Sequence, residues 1–314
     1  MSALLSRVAE DLYWAARNLE RAEDTARLVR EYTNLIVDLP TSVMSSWGPL
    51  LAVLGVEPDD AERPHDEAGI IELLIASTDN SSSIVRCVGH ARENLRSCRE
   101  VIPTDAWFVV NDLHLYVASN HRDGLARRSR TRFLDRIIAE HQRLVGILAG
   151  AMSRDDAYAM MRLGRQIERA DMTTRVLDVR AGALMTERPA EAMAYDDVQW
   201  TSVLRSLSAL QMFHRAARQP VSGPAAVAFA LHQADFPRSV AYCLAAARFG
   251  ISTLPRSTEV LPAADEALAA LDAFDADASS SAELHKMADG LQRCIGALHE
   301  ALTKSYFRSS LAPS

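Results

Sequence analysis

Thirteen residues of this chain recur 148 positions further on with their charges in the same order. Arg17-Asn18-Leu19-Glu20-Arg21-Ala22-Glu23-Asp24-Thr25-Ala26-Arg27-Leu28-Val29 aligns with Arg165-Gln166-Ile167-Glu168-Arg169-Ala170-Asp171-Met172-Thr173-Thr174-Arg175-Val176-Leu177; six positions are identical and five more are close replacements. Side chains of these types can do three things. They can neutralise one another across a helix–helix contact, bidentate arginine–carboxylate pairs satisfying groups that burial would otherwise leave bare. Arg17, Arg21, Arg165 and Arg169 can line a site for a carboxylate or phosphate, with Glu20 and Glu168 holding them in place. Glu20, Glu23, Glu168 and Asp171 can collect a divalent cation such as Mg²⁺, which takes oxygen ligands. The residues alone leave all three open.

Helical spacing is what makes these groups neighbours. At 100° per residue, Arg17, Glu20, Arg21, Glu23, Asp24 and Arg27 share an arc of about 160°, and Arg165, Glu168, Arg169, Asp171 and Arg175 share the matching one. Glu23 with Arg27, and Asp171 with Arg175, are acid-before-base pairs four apart, each contributing about 0.2–0.5 kcal/mol on an exposed helix. Arg17 with Arg21, and Arg165 with Arg169, are like charges at the same spacing, unfavourable unless an anionic group lies between them. Tyr13 and Leu28 interrupt the first arc, and Met161, Met172 and Val176 the second. A solvated face has no need of them, so the reading is that both arcs are partly buried against each other, arginine of one copy reaching glutamate of the other.

The elements that must carry these arcs read as helices throughout, with no strand and no sheet. The spacing predicts a first helix over 4–37 whose core stripe is Leu12, Ala15, Leu19, Ala22, Ala26 and Val29. Pro40, Gly48, Pro49, Pro58, Pro64 and Gly69 break the segment 38–69, which reads as an acidic loop with a short helix at 47–54. Helices are expected over 69–77, 82–101, 104–120, 126–151, 153–181, 195–217, 224–234, 236–254, 259–274 and 281–307. Ser153 and Ser280, each followed three residues later by a carboxylate, read as helix starts. The expectation is one all-α multi-helix bundle over 1–314, in which 1–150 and 151–314 are possible related halves.

Composition narrows the function classes. The 314 residues are 48% hydrophobic, 24% charged and 6% aromatic, with a net charge of −7, which gives no nucleic-acid footprint. Only Lys286 and Lys304 among the 34 basic residues are lysines, a bias with its simplest source in a GC-rich genome. Four cysteines in no pairing pattern, a charged first helix in place of a signal peptide, and no run of 18 apolar residues predict a cytoplasmic protein. Nucleotide-binding glycine loops, the H-E-x-x-H zinc motif and the G-x-S-x-G elbow are all missing. The one Glu-x-x-His, Glu62 to His65, falls in the proline-rich segment and is no di-iron motif. Two further segments carry unusual charge. Ala91-Arg92-Glu93-Asn94 repeats the Arg-Glu theme, and Phe236-Pro237-Arg238-Ser239-Val240 reads as a helix start with Arg238 near its positive end, which disfavours arginine unless it faces a carboxylate or phosphate; ordinary capping geometry is the other account, and the favoured one.

Leu5-Ser6-Arg7-Val8-Ala9-Glu10-Asp11-Leu12-Tyr13-Trp14 followed by Leu19-Glu20-Arg21-Ala22-Glu23 resembles the bacterial alpha-E proteins, all-helical and named for a Glu-Arg motif. Ile167 to Asp171, Ala91 to Asn94, Trp200 to Ser208 and Phe236 to Val240 are similar too, so the likeness runs to about residue 250. Met172 departs from the pattern, which has a polar residue there. The resemblance implies a place beside a circularly permuted ATP-grasp protein in an amidoligase pathway. This chain would then be a non-catalytic or conditionally catalytic partner subunit, with ATP held by the other chain and no cofactor of its own. The candidate ligand-binding residues on that view are Arg17, Glu20, Arg21, Arg27, Arg165, Glu168, Arg169, Arg175 and Arg238. Glu20, Glu23, Glu168 and Asp171 also resemble the carboxylates of all-α nucleotide pyrophosphohydrolases, which implies a stand-alone Mg²⁺-dependent enzyme as the alternative; a pure helical scaffold is the third reading.

Overall fold

Helices account for every long element. The computed structural model describes residues 4–40, 43, 47–56, 66–185, 190–274 and 280–307, and it holds no strand among them. In chain order the helices are α1 (Ser6–Asp38), α2 (Gly48–Val53), α3 (Glu67–Ile75), α4 (Ile84–Ser97), α5 (Thr104–Leu125), α6 (Arg127–Ala151) and α7 (Asp156–Leu184). There follow α8 (Ala190–Met193), α9 (Asp196–Ser206), α10 (Leu210–Ala217), α11 (Gly223–His232), α12 (Val240–Ser252), α13 (Leu261–Asp272) and α14 (Ser281–Tyr306).

Local chemistry explains most of the ends. Ser280 accepts from the Glu283 N–H while the Glu283 carboxylate accepts from the Ser280 N–H, the reciprocal cap that its sequence predicts. For α7 the cap is Asp155 rather than Ser153: its Oδ1 accepts from the N–H groups of Ala157 and Tyr158 at 3.1 and 3.2 Å. The helix expected over 195–217 is two helices, because exposed Ser208 takes a left-handed backbone, φ 54°, between buried Leu207 and Ala209. That turn drops Phe213 into the core, edge-on to Phe229 at 5.6 Å. The acidic residues Glu57, Asp59, Asp60 and Glu62 of the expected 38–69 loop lie outside the described residues.

The two Glu-Arg helices are the axis of the bundle. α1 and α7 run parallel and in register: Arg17 meets Glu168, and further along Arg180 stacks on Tyr32 at 4.9 Å. Gly164 sets their closest approach. A Cβ at that position would sit 2.3 Å from the Tyr13 carbonyl oxygen, so no other residue permits the crossing. Ala15, Ala16, Ala22 and Ala26 keep the α1 surface shallow around it, all buried. α4, α6 and α9 pack on α1, and α12, α14 and α11 on α7.

The duplication extends beyond these two helices, at a different offset. α4 enters against α1 as α12 enters against α7. Ser83 caps α4, accepting from the Arg86 N–H at 3.2 Å and donating to Ser77 O at 2.5 Å. Ser239 caps α12 alike, accepting from the Tyr242 N–H at 3.1 Å and donating to Gln233 O at 2.6 Å. One turn on, the Cys87 thiol donates to Ser81 O and the Cys243 thiol to Pro237 O. The repeat threonines tie each entry down: Thr25 Oγ1 donates to Ser82 O, and Thr173 Oγ1 to Arg238 O. Ser82 and Arg238 are therefore structural counterparts.

Candidate functional site

The charged arcs meet at the α1–α7 contact and exchange partners. Arg17 Nε donates to Glu168 Oε2 at 2.6 Å, and Arg21 grips the same carboxylate through Nε at 2.5 Å and Nη2 at 3.0 Å. In return Arg169 Nε donates to Glu20. Within each helix the acid-before-base pairs close as spaced, Arg27 onto Glu23 and Arg175 onto Asp171. Glu20, Glu23 and Glu168 are almost wholly shut off from solvent.

Arg238 completes one half. Its helix starts at Val240, later than the sequence predicts, so Arg238 and Pro237 stand before the first turn and the arginine turns inward to α1. Nη1 donates to Asp24 Oδ1 at 2.8 Å and lies 3.2 Å from Glu20 Oε1, while Nη2 donates to Glu23 Oε2 at 2.6 Å. His141 of α6 adds a fourth contact, its Nε2 3.2 Å from Glu20 Oε2. Sequence reasoning missed His141, since nothing local distinguishes it.

Burial and charge work against each other in this network. Burial alone would raise Glu20, yet the guanidinium groups of Arg169 and Arg238 and the His141 ring hold it well below the usual carboxylate range. Arg17 and Arg21 do the same for Glu168 against the same burial penalty. Asp24 goes the other way: burial and the negative charge of Glu20 and Glu23 push it well above its ordinary value despite Arg238. Its buried Oδ2 has no hydrogen-bond partner among the described residues. Asp171 is also raised by burial, which Arg175 only partly offsets.

Symmetry breaks at two points. By the pattern of Arg17 on Glu168, Arg165 would hold Glu20, but Arg169, Arg238 and His141 already surround that carboxylate. Arg165 has no hydrogen-bond or ion-pair partner among the described residues, its Nε is buried and unsatisfied, and burial with nearby Arg169 lowers its pKa. The second break is opposite Arg238. Where α1 offers Glu20, Glu23 and Asp24, α7 offers Glu168, Asp171 and Met172, and Ser82 stands in place of Arg238. A cavity of about 200 Å³ opens there, lined by Arg21, Val53, Leu54, Gly55, Ser82, Glu168, Asp171, Met172 and Arg175. Gly55 holds a left-handed turn, φ 67°, and a Cβ on it would reach 3.2 Å from Arg175 Nη1. Through Arg21 this cavity adjoins a hollow of about 440 Å³ whose lining includes Trp14, Asn18, Arg86, His90 and Asn94. Asn94 of the third Arg-Glu segment thus comes to the same side.

Of the residues read from the sequence as candidates, the structure gathers Arg17, Glu20, Arg21, Arg27, Glu168, Arg169 and Arg238 into the paired network. Arg21 and Arg175 reach the open cavity, and Arg165 stands unpaired among the described residues. The carboxylate quartet Glu20, Glu23, Glu168 and Asp171 does not come together. The group within ligand distance on these helices is Glu20, Glu23 and Asp24, their ligand atoms within 4.8 Å of one another, and Arg238 contacts all three. A cation there would have to displace the Arg238 guanidinium that already pairs with all three acids.

The fold and the site define an all-helical protein centred on a duplicated pair of Glu-Arg helices. The chain belongs to the Alpha-E family, described as a predicted alpha-helical domain with a conserved ER motif, whose model matches residues 4–307. It is similar to uncharacterised proteins of Mycobacterium bovis and of two strains of Mycobacterium tuberculosis, 26% identical over 278 residues. The match takes in 80% of this chain and 30% of each relative, so the chain spans less than a third of the curated relatives' length. No solved structure matches it. No described helix is long and apolar enough to cross a membrane.

Proposed function

We propose that this protein is a substrate-handling partner subunit of an ATP-grasp amidoligase system, non-catalytic or catalytic only with its partner, and that it holds a carboxylate or phosphate group. The observation that carries the reading is the open half of the network. Among the described residues, Arg21 and Arg175 keep guanidinium nitrogens unpaired at a cavity reached from the surface, while Glu168, anchored by Arg17, holds Arg21 in position. A preorganised pair of planar donors fixes a carboxylate or phosphoryl group with little ordering cost. ATP chemistry falls to the partner chain. The relatives support a joint role, since the matched region there is only 30% of a longer polypeptide and so works attached to further protein.

The test is affinity purification from native lysate with mass spectrometry, wild type beside Arg21→Ala/Arg175→Ala, after circular dichroism confirms that both fold. An ATP-grasp protein recovered with wild type supports the reading. If the double variant still binds it but the complex no longer ligates, the cavity serves substrate. Failure of wild type to recover any ATP-grasp chain removes the proposal.

A further inference from the structure

We infer that the open half of the Glu-Arg network is a recognition site for an acidic α-amino acid, its ammonium on Asp171 and Ser82 and its carboxylate on Arg21 and Arg175. The inference rests on the reading above only in taking this cavity as the ligand site, and it names the ligand's class.

The molecule carries its own control. In the Arg238 half, a buried guanidinium fills the space between α1 and the entry to α12, and Glu20, Glu23 and Asp24 are its acceptors. In the other half the corresponding entry residue is Ser82 and the third acceptor is Met172, so the sequence has withdrawn one base and one acid together. The backbone frame is retained: both serine caps, both cysteine contacts and both threonine tethers remain. An ordinary core would close over the lost volume with larger apolar side chains, because interiors pack at crystal density. Here a cavity of about 200 Å³ persists, and charged groups line it.

Those groups decide what fits. Among the described residues, Arg21 uses Nε and Nη2 on Glu168 and no partner meets its Nη1; Arg175 uses Nε on Asp171 and no partner meets its Nη atoms. Asp171 uses Oδ2 and leaves Oδ1, and the Ser82 hydroxyl makes no hydrogen bond among the described residues. The site therefore offers unpaired donors and unpaired acceptors side by side. A plain anion would answer only the arginines, and a plain cation only Asp171. The surrounding charges are Glu168 and Asp171 against Arg17, Arg21 and Arg175, one cation in excess, which suits a zwitterion carrying a further carboxylate. Burial raises Asp171 and Arg175 offsets this only in part, so an ammonium beside it would add positive charge. Size agrees: pockets for drug-sized ligands run to about 300–1,000 Å³, and this one is smaller.

Isothermal titration of the purified chain with L-glutamate, and with glutarate as the analogue lacking the ammonium, tests the assignment. Saturable binding of L-glutamate is expected, with glutarate at least tenfold weaker. Ser82→Arg/Met172→Asp copies the Arg238–Asp24 pair into this half; it should reduce L-glutamate affinity at least tenfold while melting no lower than wild type. Asp171→Asn provides a second arm, weakening L-glutamate tenfold but leaving glutarate unchanged. No saturable L-glutamate binding, equal binding of glutarate, or L-glutamate binding untouched by Asp171→Asn would overturn the inference. Partner capture from lysate is a separate readout, so either idea can fail while the other stands.

Discussion

Converting the closed half of the network into the open one measures what Arg238 contributes. Arg238→Ser installs the residue its counterpart Ser82 has, and it leaves three buried carboxylates short of a guanidinium. Breaking a buried ion pair by removing one partner costs about 3–5 kcal/mol. The lower figure applies, because Glu20 keeps Arg169 and His141 and Glu23 keeps Arg27, whereas Asp24 loses the hydrogen bond it receives from Nη1. At the low end of about 2–4 °C per kcal/mol for larger domains, a loss of about 3 kcal/mol lowers the melting temperature by about 6 °C. Adding Asp24→Met copies Met172 and removes the stranded acid, so it should restore about 1–2 kcal/mol rather than cost more. Circular dichroism melts of wild type, both single variants and the double variant give the coupling energy directly. A loss below about 1 kcal/mol for Arg238→Ser, or a double variant less stable than Arg238→Ser alone, would refute the reasoning.

Other outcomes follow from the same geometry. Glu20, Glu23 and Glu168 are held below the ordinary value of 4.5, so their stabilisation is complete above that pH and disappears as pH falls through their lowered values. Melting temperature should hold between pH 7 and 5 and then drop, and Glu168→Gln should show a shallower drop; parallel curves would count against it. Gly164→Ala drives a Cβ against the Tyr13 carbonyl and should cost about 1–3 kcal/mol by thermal melt, an unaltered melt disproving the close crossing. Arg165→Met should be neutral or stabilising by about 1 kcal/mol, since it removes a buried unsatisfied Nε, while Arg169→Met should destabilise by about 3 kcal/mol. Equal losses in the two variants would show that Arg165 has a partner of its own.

The all-helical fold, most helix positions and the meeting of the two charged arcs were legible in the order of residues. These are local or periodic properties: apolar residues at helical spacing must bury one face, and Tyr13, Leu28, Met172 and Val176 inside a charged arc signal that this face is buried too. It also singled out Arg238 as misplaced at a helix start. What it could not supply was the answer to that misplacement, because Asp24 and Arg238 are 214 residues apart and only packing of α12 against α7 brings them together. The break in α9–α10 was hidden for a similar reason, since the turn at Ser208 is held by the burial of Phe213 rather than by a glycine or proline. The duplication of the α4 and α12 entries escaped notice because its offset differs from that of the Glu-Arg helices, and few side chains are shared. Tertiary structure alone decided which arginines are occupied. Charge order along a helix states what each residue offers, but which partner reaches it first depends on neighbours from other helices, and that competition closed one half of the network and left the other open.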